Sequence, residues 1–117
     1  MPHVVIEDIG DLGIACQNLQ LTTVRNGSEI LKLVDVYLNR SSRTALVDCV
    51  VVEAGRSQSF FVQLSEKDRQ ITVRLLPATD PEKTTGVKRV MALIAMQIHE
   101  ATVGSRFGKT NLQEFLE

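Results

Sequence analysis

The densest group of chemistry-bearing residues is Glu82-Lys83-Thr84-Thr85-Gly86-Val87-Lys88-Arg89, where two hydroxyls, a glycine and three cations gather at the expected start of a helix. A helix N-terminus presents unpaired N–H groups and a partial positive charge, which is the physical basis of anion binding. Lys83, Thr84, Thr85, Gly86, Lys88 and Arg89 are therefore the candidate site for a phosphate-containing ligand or a nucleic acid. The plainer reading is a Thr helix cap with solvated lysines, and Asp80 and Glu82 soften the local charge.

Gly104-Ser105-Arg106-Phe107-Gly108-Lys109-Thr110 resembles a P-loop, but three residues separate its glycines where four are required. A helix is expected before it instead of a strand, so a helix stop at Gly104 is the better account. Gly10-Asp11-Leu12-Gly13 has the Gly-x-x-Gly form of some RNA-clamping loops. Its aspartate, with Glu7 and Asp8 beside it, would repel a phosphate chain, and a turn is expected.

Metal chemistry finds little support. Cys16, Cys49, His3 and His99 are the soft ligands, without the close Cys or His pairs of a zinc site, so neither a metal nor a cofactor is expected. Cys49, inside a valine-rich stretch, reads as a small buried hydrophobe. His99-Glu100 puts an acid next to an imidazole, but helix neighbours point about 100° apart and do not form a dyad. A small enzyme with an inter-subunit site near His99 would need a partner from elsewhere, such as Asp8 or Ser41.

These residues must be placed by a scaffold that composition constrains. The 117 residues suit a single domain over 1–115, with Leu116-Glu117 read as a possible cloning scar. With four Phe, one Tyr and no Trp, the core must be aliphatic. Thirteen basic against fourteen acidic residues leave a net charge of −1, which gives no global field for nucleic acid or an anionic membrane. Two cysteines, no signal-like opening and no apolar run near the ~20 residues of a membrane helix make a cytoplasmic protein the expectation.

The pattern predicts an α+β fold: an antiparallel sheet of three to five strands with two main helices. Pro2 to Glu7 reads as a strand, and Leu19, Leu21 and Thr23 favour a strand over a helix between Ile14 and Arg25. Asn26-Gly27 is a hairpin signal, but Ile30, Leu33, Val34, Tyr37 and Leu38 follow helical spacing and predict a helix there. Thr44 to Glu53 predicts a strand apolar on both faces, which suits either cover on two sides or a partner chain on one. Ser59–Leu64 and Ile71–Leu75 continue an antiparallel meander. Val87 to about Val103 predicts a helix with Val87, Val90, Met91, Ile94 and Ile98 inward and Leu93 and Met96 outside that stripe. Gly104 to Phe115 reads as a docked short helix or a frayed tail.

The order helix, three antiparallel strands, helix over about Ser28 to Val103 resembles in outline the double-stranded-RNA-binding domain. Lys83, Lys88 and Arg89 match that family's basic cluster at its second helix; the N-terminal strand and neutral charge depart from it. The leading expectation is a non-enzymatic assembly protein that self-associates, with Leu93 and Met96 as interface residues. Its partners would be further copies of itself, or in the runner-up reading a phosphate-containing ligand.

Overall fold

The computed structural model describes all 117 residues, Met1 to Glu117. The strands are β1 (His3–Glu7), β2 (Thr23–Asn26), β3 (Glu29–Leu38), β4 (Thr44–Glu53), β5 (Arg56–Lys67), β6 (Gln70–Leu75) and β7 (Arg106–Thr110). Two helices, α1 (Leu12–Asn18) and α2 (Thr85–Glu100), and a final 3-10 turn at Gln113–Phe115 complete the chain. All seven strands join one antiparallel sheet in the order β2-β3-β4-β5-β6-β1-β7, which curls around α2 as a half-barrel.

This corrects the expected sheet of three to five strands, and three segments account for the difference. Glu29–Leu38 is a strand, not a helix, because the hairpin at Asn26-Gly27-Ser28-Glu29 forms, with Gly27 at a φ of 61°. The helical spacing there combines the two faces of the strand, Ile30 and Tyr37 on one and Leu33 and Leu38 on the other, with Val34 as the extra residue of a bulge between Leu33 and Asp35. The extra residue shifts the two-residue alternation by one, so inward Leu31 and Leu33 are followed by inward-facing Val36 instead of Asp35.

Leu12–Asn18 is a helix where a turn and a strand are expected. Asp11 is its N-cap, accepting a hydrogen bond from the Ile14 amide at 3.0 Å, and the Glu66 carboxylate accepts one from Leu12 at 2.9 Å. The third segment, Arg106–Thr110, pairs as a strand with β1. With Glu29–Leu38 a strand, the helix-first order on which the likeness to the double-stranded-RNA-binding domain rested is absent.

The core is aliphatic, as the composition requires. Val4, Ile6, Leu31, Leu33, Val47, Cys49, Val51, Phe60, Val62, Leu64, Ile71, Val73 and Leu75 project from the sheet's concave face onto Val87, Val90, Met91, Ile94 and Ile98 of α2. Each fully buried aliphatic side chain contributes about 1.5–3 kcal/mol. Helix α1 packs on the same concave face, with Leu12 and Ala15 buried. Leu116 packs against the core as well.

Candidate functional site

At the start of α2 the expected anion-binding residues are brought together, but the protein's own groups engage most of them. Glu53, from the end of β4, accepts hydrogen bonds from the Thr84 hydroxyl and from the Gly86 amide at 2.9 Å. Thr84 Oγ1 in turn accepts from the Val87 amide at 3.3 Å, completing an N-cap. A carboxylate thus sits where an anionic ligand would have to sit. Gly86 permits this approach: a Cβ there would stand 2.6 Å from Glu53 Cδ and 2.7 Å from Val51 Cγ1.

The cations are also largely committed. Arg89 binds both carboxylate oxygens of Glu29 at 2.9 and 3.0 Å, and Lys83 reaches Asp80 at 2.6 Å. Thr85 is exposed, and Lys88 is half-buried without an ion pair. Lys83 and Lys88 line a cavity of about 290 Å³ with Met1, Pro2, Asn111 and Leu112.

His99 sits at a structural corner. Its Nδ1 lies 2.9 Å from Ser105 Oγ, whose hydroxyl also lies within hydrogen-bond reach of the His99 and Thr102 carbonyls, and its ring is tilted at 41° to that of Phe107 with centroids 4.5 Å apart. No carboxylate reaches the imidazole by hydrogen bond, Glu100 is exposed, and His99 lines none of the five main surface cavities. No three potential metal-ligating side chains cluster.

Of the expected interface residues, Leu93 and Met96 are half-buried on the flank of α2, and Leu93 packs against the core. The larger uncovered apolar surface lies elsewhere. Both helices occupy the concave face, which leaves the convex face of β3, β4 and the first half of β5 without cover. In register across it lie Tyr37, Leu46 and Gln63; then Asp35, Asp48 and Phe61; then Lys32, Val50 and Ser59; then Ile30, Val52 and Ser57. Tyr37 is 52% exposed, Val34 beside the bulge 38%, and the Tyr37 ring meets Phe61 edge-on at 6.4 Å. In the sequence this surface is legible only as the second apolar face of β4, because the spacing in β3 imitates a helix.

Compared with family models, with curated proteins and with solved structures, the chain matches none. No helix is long and apolar enough to cross a membrane.

The two thiols differ in setting but shift the same way. Burial pushes Cys16 up to about 11; burial, with the negative charge of Asp48 adding to it, pushes Cys49 up to about 12. Below pH ~9 both thiols are neutral whether the chain is folded or not. Above it the unfolded thiols ionise first, so the folded state holds the extra protons and stability falls as pH rises toward 11 and 12. The slope contributed by Cys49 is on the order of 1.4 kcal/mol per pH unit, and by the partly exposed Cys16 less. Urea unfolding at pH 8 and pH 10 is expected to show a smaller alkaline loss for Cys49→Ala than for the parent; equal losses would contradict the assignment.

Proposed function

We propose that this protein is a non-enzymatic assembly module that self-associates through the convex face of β3, β4 and β5. The observation that carries this is the patch of exposed Tyr37 with half-buried Ile30, Leu46, Val50, Val52 and Phe61, on strands whose opposite face is largely buried. Apolar residues grouped on one uncovered sheet face of a small domain, interleaved with Lys32, Asp35 and Asp48, suit an interaction site. Across a two-fold axis the same patch meets itself, and Lys32 of one copy can answer Asp35 and Asp48 of the other. The flank of α2 at Leu93 and Met96 is a second, smaller surface for the same role. Phosphate binding at the start of α2 is the weaker reading, because Glu53 already occupies the helix amides.

Sedimentation over a wide concentration range tests the proposal. The parent chain is expected to form a concentration-dependent oligomer. Leu46→Glu with Val50→Glu should weaken it by about 100-fold, the loss of a hot spot of about 2–3 kcal/mol. Met96→Asp should weaken it little. A parent chain that stays monomeric throughout would refute the reading, and a stronger effect at Met96 would move the interface to α2.

A further inference from the structure

The edge of the sheet at β3 is open over only part of its length. β2 pairs with Glu29 to Lys32, and the Leu33 amide donates to the Thr22 carbonyl, after which no strand continues alongside. On the other side of β3 the Asn39 amide donates to Thr44, which marks Asn39, Tyr37 and Asp35 as the residues hydrogen-bonded to β4. By alternation, the backbone N–H and C=O groups of Val36 and Leu38 point away from the sheet. The Val36 amide is held at 2.8 Å by the side chain of its neighbour Asp35, a local substitute for a strand partner.

Beside this edge runs a trough. Gly13, Cys16 and Gln17 of α1 form one wall, Val36 and Leu38 of β3 the other, and Ser42 closes one end, around a volume of about 430 Å³. Leu38 is 41% exposed there. A chain added alongside Val34–Leu38, about 16 Å of strand, would alternate its side chains between this trough and the convex side. The hairpin at the trough's end carries Arg40 and Arg43, both exposed and neither in an ion pair. Asp11 and Glu66 are engaged with the first amides of α1, and Asp35 with the Val36 amide, and none of them pairs with either arginine.

We propose that the open edge of β3 receives an extended acidic segment of a partner protein as an added strand, its alternate apolar side chains in the trough and its acidic residues beside Arg40 and Arg43. Backbone hydrogen bonds to Val36 and Leu38 supply the pairing, side-chain pockets the selectivity, and the unpaired arginines the preference for negative charge. Asp35 releases the Val36 amide when the strand adds.

Selection of random heptapeptides displayed on phage, against the intact protein and against the Arg40→Glu/Arg43→Glu variant, tests this. Both arginines are exposed, so the variant should fold normally. The expected result is a consensus of alternating apolar residues followed by Asp or Glu. A synthetic, fluorescein-labelled consensus peptide should bind the double variant at least about tenfold more weakly. N-methylation at alternate peptide amides should abolish binding, with amide NMR shifts confined to Val34–Leu38 and α1. Any of three results would overturn the proposal: no enrichment, a basic consensus, or undiminished binding to the variant.

Discussion

Phe60→Ala is expected to lower the free energy of unfolding by about 3–5 kcal/mol, while Phe61→Ala, one residue on, should cost about 1 kcal/mol. The two rings leave β5 on opposite faces. Phe60 is 1% exposed and lies opposite Cys49 in the layer that packs on α2, so its removal opens a cavity that rigid neighbours cannot close. Phe61 faces outward beside Asp48 and loses mainly its edge contact with Tyr37. A loss of 3–5 kcal/mol is a large share of the roughly 5–15 kcal/mol that holds a domain together, so Phe60→Ala should be largely unfolded by mild denaturant. Urea titrations with unchanged slopes would measure both. Equal costs would mean that the register of β5 is shifted by one residue.

The pair also shows where the sequence was legible. β5 and β6 could be read because each is bounded by turn residues and keeps an undisturbed two-residue alternation, so the shared face of Phe60, Val62, Leu64, Ile71, Val73 and Leu75 is visible in the sequence, while β4 is legible from its β-branched run, apolar on both faces. Helix α2 was visible for the same reason at its own period. β3 was not, because it carries apolar residues on both faces and a bulge residue at Val34, and together these fall at spacings of three and four, the signature of a helix. The Asn-Gly turn upstream held the correct answer, and weighing it above the spacing would have recovered β3. α1 was hidden by its brevity: at seven residues its main signal is the Asp11 cap, which also suits a turn. β7 was hidden because an edge strand of Arg106, Gly108 and Lys109 has no buried face to impose a pattern.

The candidate sites divide along similar lines. The cluster at Lys83 to Arg89 could be located, since it is contiguous, but its occupant could not. Glu53 lies more than thirty residues upstream of Thr84, and Glu29, which engages Arg89, sixty upstream of its partner. Only the curling of the sheet around α2 brings them there. The convex patch was half visible, through Leu46, Val50 and Val52 on β4. Its extension by Ile30 and Tyr37, and the open edge at Val36 and Leu38, depend wholly on β3 being a strand. The irregularity of β3 therefore hides from the sequence the open edge and half of the convex patch.

Glu53→Ala is expected to cost about 2–3 kcal/mol, although the residue lies at the end of a strand. Its carboxylate accepts from the Thr84 hydroxyl and the Gly86 amide, and hydrogen bonds to a charged acceptor contribute about 1.5–3 kcal/mol each when partly shielded from water. It also places a negative charge at the positive end of α2, worth a further ~0.3–1 kcal/mol. Part of the loss is offset because water can reach the freed groups, and Glu53→Gln, which keeps one acceptor oxygen, should lose about half as much. The same variant separates two readings of the basic cluster. With the carboxylate gone, the Gly86 amide and the Thr84 hydroxyl become an open anion site at the start of α2. Millimolar inorganic phosphate should then raise the melting temperature of Glu53→Ala by mass action and leave the parent chain unchanged. Phosphate that stabilises the parent equally would mean that Glu53 does not fill the site, and would restore anion binding as a property of the native protein. Phosphate that stabilises neither would show that Glu53 acts purely as the cap of α2.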